Sequence, residues 1–425
     1  MNSILRKYFK GDVGIWWIYL FLCMVSTIVM YSASSFFVYR DDTAHWQPVM
    51  SHAFFLLVGG VFAWLLHFCS VKVIRLFGYI MAVSFFIALC LMYVDGIGVR
   101  INGALRWVHI LFTFQPAEGA KLGLVLVVAD LLSRLGQLKE KKVYWAIVMC
   151  TGAICLPILP SNLSTALLIA AVIFLMLLMS DLTKKWLRLG VPFAVGIALC
   201  VALYFVIKEI PPQMIPKPME RVTTWVNRVD RFVPDDAESP QNPLDDMNRQ
   251  ITHGKIAIAR GGLLGVGPGN SIQRDYVSLA FADSIFTIIV EEYGLIGGVF
   301  VIMLYLALFF RVGRMAIKSG ATFTQLASIG LTFMLIAQVL INVWVVVGLM
   351  PVTGQVLPLI GHGGTSIIIT SLYIGVLLAL SNDVEKREEE KLMAQEMAPE
   401  SAIEDEVKVI ELDEEDNAEV DTQEF

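Results

Sequence analysis

Runs of about 20 apolar residues recur along this chain, and no other feature limits its fold so severely. A bilayer's hydrocarbon core is roughly 30 Å thick and dry, so a crossing segment must satisfy its own backbone, most simply as a helix. Such runs lie near residues 14–35, 50–69, 72–93, 115–133, 143–159, 162–180, 189–208, 283–310, 325–350 and 364–382. They predict an all-α polytopic membrane protein with ten transmembrane helices. Composition agrees: 425 residues at 56% hydrophobic and a mean hydropathy of +0.68 are too apolar for a water-soluble domain.

Basic residues fall on alternate connections. Arg6, Lys7 and Lys10 precede the first run, and Lys72 and Arg75 follow the second. Arg134, Lys139, Lys141 and Lys142 follow the fourth, Lys184, Lys185 and Arg188 the sixth, and Arg311, Arg314 and Lys318 the eighth. By the positive-inside rule these connections and both termini are cytoplasmic, which leaves 94–114, 209–282 and 351–363 outside. The basic residues within 209–282 do not oppose this, because a loop of that length translocates largely regardless of charge. The first run is long and lacks a signal-type cleavage site, so it is expected to remain as a span. All six cysteines lie in apolar segments and read as small hydrophobes rather than a disulfide framework.

Charge is unevenly spread. Residues 383–425 hold 18 Asp and Glu against 4 Lys and Arg, a net of −14 in a chain whose total is −6. They are expected to form a disordered acidic cytoplasmic tail, either solvating or a docking strip. Residues 1–382 form the membrane domain.

The 209–282 loop opens on a stiff proline-rich stretch from Pro211 to Pro218. Val222, Trp225, Val226, Val229 and Phe232 then recur at helical spacing opposite Arg221, Arg228 and Arg231. That pattern suits a helix lying on the outer membrane surface or packing on the bundle. Gly261 to Ser271 is glycine-rich but lacks the strand and lysine of a phosphate loop, so a close-packed turn is expected.

Asp283 stands where this polar loop re-enters an apolar segment. A carboxylate at such a mouth is costly to hold and is a functional candidate for that reason. Thr287 and Glu291 follow it at helical spacing, with Glu291 about 12 Å deeper at 1.5 Å per residue. Only Asp283 is then placed to meet a substrate from outside. In the fourth run Pro116 suits a first helical turn, and Glu118 and Lys121 form an i,i+3 pair facing the bundle. That pair either fixes packing alone or leaves Lys121, with Arg106, to hold an anionic headgroup. The six histidines show no metal-ligand spacing, no nucleophile elbow, P-loop or zinc motif is present, and no nucleic-acid partner is expected.

Several short pieces occur in a characteristic order. They are Tyr31 to Ser34, Asn102 to Ala104 with Arg106 and Trp107, Gln115 to Glu118 with Lys121, Ser161 to Ala166, Gly269 to Ser271, Asp283 to Gly297, and Gly348 to Pro358 running into His362, Gly363, Gly364, Thr365 and Ser366. In these pieces the chain resembles the SEDS family (shape, elongation, division and sporulation) from roughly Tyr31 to Leu380. The Tyr31 and Ser271 pieces are more similar to the division branch than to the elongation branch. There are departures. Leu279, Phe281 and Ala282 stand where the family usually has Glu, His and Thr, and Ser284 where it has Phe. Asn162 replaces a carboxylate, Ala117 a serine and His362 a tyrosine.

The resemblance implies a peptidoglycan glycosyltransferase that polymerises lipid II into glycan strands at the outer face of the inner membrane, at the division septum. It implies a class B penicillin-binding protein as transpeptidase partner, with other divisome membrane proteins. Asp283 would be the catalytic base, and Arg106, Glu118, Lys121, Thr287, Gly363, Gly364 and Ser366 would bind substrate. No cofactor is firmly implied; a divalent cation, Mg or Mn, beside Asp283 is an alternative source of positive charge. The residues leave open a lipid II flippase, for which Glu291, Glu292 and Asn162 would have to line a crossing path, and a non-catalytic divisome scaffold.

Overall fold

A computed structural model describes residues 8–34, 46–101, 104–180, 196, 246–276 and 282–396. The chain divides into two compact units, 1–382 and 383–425. Helices occupy nine of the ten predicted spans: α1 (Val13–Ala33), α2 (Trp46–Leu66), α3 (Val71–Leu91), α4 (Pro116–Ser133), α5 (Glu140–Ile158), α6 (Leu163–Leu178), α8 (Ile285–Lys318), α9 (Thr322–Val346) and α10 (Thr365–Glu396). A further helix, α7 (Asp246–Gly261), precedes α8. The span expected at 189–208 and the surface helix expected at 222–232 lie outside the described residues, apart from residue 196.

Seven of the described helices are long and apolar enough to cross a membrane: α1, α2, α3, α5, α8, α9 and α10. The chain is a multi-pass membrane protein. At 16 residues α6 is short for a crossing, and α4 carries Glu118, Lys121 and Asp130 among its 18 residues. That charge load is tolerated because α4 is the centre of the bundle, wrapped by α3, α5, α6 and α9. From Pro116 to Leu132 only Glu118 and Leu131 are not buried. A Cβ at Gly123 would collide with the backbone of Ala82 and one at Gly119 with the ring of Phe85, so glycine lets α3 and α4 approach closely.

Local chemistry sets the helix ends. Asp12 caps α1, accepting from the N–H of Gly14 at 2.7 Å and of Ile15 at 3.3 Å. Arg311 donates to the same carboxylate at 2.7 Å, and the Asp12 N–H bonds Ser381 Oγ at 2.7 Å, which ties α1, α8 and α10 together at one end. Asn162 caps α6 through Thr165 N–H at 3.2 Å. Pro116 opens α4 at a position where its missing N–H costs nothing. α10 runs on to Glu396, into the segment expected to be disordered, with Arg387 and Asp383 paired at 2.8 Å.

Three observations differ from the sequence expectations. The segment 94–114, expected as an outer loop, holds a three-stranded antiparallel sheet, β1 (Gly98–Ile101), β2 (Ala104–His109) and β3 (Thr113–Phe114), so the fold is not purely α. Its sequence alternates apolar and basic residues, Val99-Arg100-Ile101 and Leu105-Arg106-Trp107, a period of two that fits strands. The second concerns 351–363, expected as an outer loop, which folds into the bundle. Leu357, Leu359 and Ile360 are buried, Tyr305 donates to the carbonyl of Pro358, and Ser26 Oγ donates to that of Leu359 at 2.7 Å. The third is that α8 is broken at Gly294, whose φ of 69° and ψ of −172° suit glycine alone.

The glycine-rich run fills that break as a close-packed turn. The N–H groups of Val266 and Gly267 donate to the carbonyls of Glu291 and Glu292, each at 3.0 Å, and Leu295 N–H donates to Gly262 O at 2.9 Å. The backbone groups freed by the kink are thereby satisfied.

The buried 357–360 segment depends on donors from the helices around it. Tyr305→Phe removes one such bond and is expected to cost about 1–3 kcal/mol, since it leaves a buried carbonyl short of a partner. A lower unfolding temperature in detergent, compared with Tyr31→Phe at an exposed site, checks this.

Candidate active site

The candidate residues converge at the end of the bundle opposite Asp12. Asp283 sits in the turn just before α8, not on it, since the helix begins at Ile285 with Ser284 as its cap residue. The helical face expected to run from Asp283 through Thr287 to Glu291 therefore holds only for the last two, both buried. Being off the helix leaves Asp283 half-buried at the mouth while its backbone is gripped from behind.

The grip comes from Asn342 near the end of α9. Its side-chain amide donates to the carbonyl of Asp283 at 2.7 Å and to that of Gln355 at 2.8 Å, which joins the turn before α8 to the buried 351–364 segment. Gln355 in turn donates to Thr165 Oγ1 at 2.6 Å, on the first turn of α6. Ser164 on the same turn donates to Thr353 O at 3.4 Å and to Asn162 Oδ1 at 2.7 Å. The Ser161–Ala166 piece, Asn342 and residues 353–355 thus form one hydrogen-bonded frame behind Asp283.

Arg106 reaches the same place from β2, donating through Nε to Ser161 O at 3.1 Å. Gly354, with φ of 67°, adjoins both charges. A Cβ there would stand 3.0 Å from Arg106 Nη1 and 3.9 Å from Asp283 Oδ2. Glycine keeps that space open, and the guanidinium and the carboxylate both border it. A carboxylate so placed can accept a proton, and the adjacent cation can stabilise a developing anion.

The other predicted residues are distributed around this pair. Lys121 is fully buried and donates to Glu118 at 2.8 Å, so the two engage each other at the start of α4, which contacts β2. Thr287 is buried close to Gly254 of α7. Gly363, Gly364 and Ser366 lie where α10 begins, Ser366 N–H donating to Gly363 O at 2.8 Å, and a Cβ at Gly364 would rest 3.5 Å from the ring of Phe55. Their link to the mouth is Gly361, where a Cβ would fall 2.6 Å from Ala282 O. Leu279 and Phe281 lie outside the described residues.

For a divalent cation the donors are poorly matched. Among the described residues no three His, Cys, Asp or Glu side chains cluster as a metal site, and the space beside Asp283 is bordered by a guanidinium. Glu291, Glu292 and Asn162, which a crossing path would need, are held by hydrogen bonds from the 260–274 segment and from Thr165 and Ser164.

Sequence reasoning missed Asn342, Gly354 and Gln355 as site residues. Gly354 and Gln355 lay inside a piece already singled out, and Asn342 is an amide in a strongly apolar helix, itself a usable signal.

The fold and site define a multi-pass helical membrane protein with a carboxylate and a guanidinium at the mouth of a broken-helix bundle. A family described as "Cell cycle protein" (FTSW_RODA_SPOVE) matches residues 14–386, and the chain belongs to it. Its relatives include the "Probable peptidoglycan glycosyltransferase FtsW" of Coxiella burnetii, 29% identical over 377 residues that cover 86% of this chain and 95% of that protein. The protein of the same description from Taylorella equigenitalis is 32% identical over 314 residues, covering 71% and 78%. Among solved structures, "Structural coordination of polymerization and crosslinking by a peptidoglycan synthase complex" has a chain with a TM-score of 0.65, 24% identity, and coverage of 88% of this chain and 98% of that one. The Thermus thermophilus rod shape determining protein RodA gives a TM-score of 0.57 at 21% identity, covering 89% and 98%. These two likenesses are of fold.

Asn342→Leu keeps the volume but strips two buried carbonyls of their donor. It is expected to lower stability by about 1–3 kcal/mol and to loosen the Asp283 turn, seen as faster amide exchange at residues 282–286.

Proposed function

We propose that this chain is a peptidoglycan glycosyltransferase of the division type, polymerising lipid II at the outer face of the inner membrane. The observation that carries the reading is that Asp283 and Arg106 both border the small space beside Gly354 at one end of the bundle. Relatives named for this activity align along most of the chain, which supports it further.

The reaction joins a sugar 4-hydroxyl to the anomeric carbon of a lipid-linked donor. Asp283 takes the hydroxyl proton as the new C–O bond forms on the face opposite the leaving group. The bond from anomeric carbon to phosphate oxygen breaks, and undecaprenyl pyrophosphate departs with the electron pair. Arg106 offsets the charge that develops there. The lipid tails of donor and product lie between the spans. Glu118 and Lys121 brace the start of α4 beside β2, and Gly361 to Ser366 shape the wall on the α10 side. Thr287 keeps the base of the turn in place.

The reading includes ten spans with both termini cytoplasmic, the 209–282 loop outside and 383–425 as a cytoplasmic tail. Support comes from the clustering of Asp12 with Arg311, and of Asp130 with Arg75 and Arg134, away from the Asp283 end. A class B penicillin-binding protein is the proposed partner and the division septum the proposed site of action. The solved complex of similar fold is described as coordinating polymerization and crosslinking, which fits such a pairing.

Purified protein given lipid II, with and without its transpeptidase partner, tests this. Asp283→Asn is expected to reduce strand synthesis by about 100- to 10,000-fold, the usual worth of a general base. Strands made by this variant at the wild-type rate would sink the assignment of Asp283. Arg106→Ala is expected to lower the rate by about 100-fold or more, as loss of a charge-stabilising donor does.

A further inference from the structure

Glu291 and Glu292 are adjacent carboxylates buried in α8, 0% and 1% exposed, and no step of the proposed reaction uses them. A carboxylate removed from water needs a full set of donors. For Glu291 they come from the segment that precedes Asp283; for Glu292 they come from that segment and from Ser32, all to Oε1, while Oε2 has no hydrogen bond among the described residues. Glu291 accepts from Arg260 Nη1 at 2.9 Å, from the Ser271 hydroxyl, and from the N–H groups of Ile272 and Gln273 at 3.2 Å each. Glu292 accepts from Ser271 N–H at 3.3 Å and from the hydroxyl of Ser32 at the end of α1. Arg274 lies 3.8 Å from Glu292 and donates to Ser32 O at 3.2 Å and Ser32 Oγ at 3.0 Å.

The backbone reinforces this contact. Besides the bonds from Val266 and Gly267, a Cβ at Gly261 would strike Val290 O and one at Gly265 would strike Glu292 O. The hairpin of α7, glycine-rich turn and residues 271–276 is therefore seated against α8 without a gap. Its two attachment points in sequence, Ser271 and Glu291, hydrogen-bond to each other, and Asp283 is carried between them. Fixing both ends of that stretch limits where Asp283 can travel. The helix from Ile285 to Glu291 transmits the setting rigidly to the turn that bears it.

We infer that Glu291 and Glu292 are positioning residues that lock the 246–276 hairpin onto α8 and thereby hold Asp283 beside Gly354, near Arg106. The lock stands on its own geometry; its consequence for catalysis rests on Asp283 being the base.

The test uses the full chain in nanodiscs and reads two quantities, amide hydrogen exchange over residues 262–276 and the kcat and KM for lipid II. In Glu291→Gln the exchange of the Ile272 and Gln273 amides is expected to rise about tenfold or more, the equivalent of a lost hydrogen bond to a charged group. kcat is expected to fall about 100-fold with KM unchanged, as for a misplaced reactive group. Gly265→Ala attacks the lock from the hairpin side and leaves both carboxylates in place, so it covers the case in which Glu291→Gln does not fold. It is expected to show the same two changes. Wild-type exchange in both variants would overturn the lock. Faster exchange with an unchanged kcat would overturn the positioning role. If the wild type makes no strands, the failure lies with the proposed function, and the exchange measurement still decides the lock.

Discussion

The dryness of a bilayer's hydrocarbon core is the constraint on which this structure depends. A polar group buried there must find its partner within the protein or cost several kcal/mol. α4 shows the consequence most directly, since its charges sit only at its ends. At one end Glu118 and Lys121 neutralise each other; at the other Asp130, fully buried, collects Arg75 at 3.0 Å, Tyr79 at 2.8 Å and Arg134 at 2.7 Å. The ten residues from Leu122 to Leu131 between these clusters are apolar apart from Asp130 itself, and Gly119 and Gly123 let α3 close against them. The central helix thus carries three charged residues in 18, which is tolerated because other helices surround it.

The same demand shapes the site. A loop with free carbonyls cannot rest inside a dry bundle, so residues 351–364 are buried only because Ser26, Tyr305 and Asn342 supply donors from three different helices. Asn342 binds two carbonyls at once, and that double use brings the turn before α8 against Gly354. A break in α8 at Gly294 is tolerated for a similar reason, because the glycine-rich turn replaces the lost ladder bonds. The geometry of the candidate site follows from irregular backbone whose polar groups had to be satisfied.

Much of this was legible in the chain. Hydrophobic run length located nine helices, and the single carboxylate at a membrane mouth singled out Asp283. The alternation that makes β1 and β2 was present but brief, and the segment was read only as the connection between two apolar runs. Placing Asp283 on the helix face failed because helix starts are set by capping, and Ser284 begins no helix by itself. The burial of 351–364 left no trace in sequence, since an apolar loop and a buried loop read alike. Asn342 is visible as an amide in an apolar run, but what it binds lies 59 residues away at Asp283.

By itself the sequence determined that this chain lives in a membrane, roughly where it crosses, and which carboxylate to watch. Those follow from transfer energies that each segment bears alone. Only the tertiary structure decided that Arg106 and Asp283 both border Gly354, and that Glu291 and Glu292 accept hydrogen bonds from the hairpin. Such pairings depend on which distant groups are left wanting a partner once the helices have packed, and that is a property of the assembled bundle.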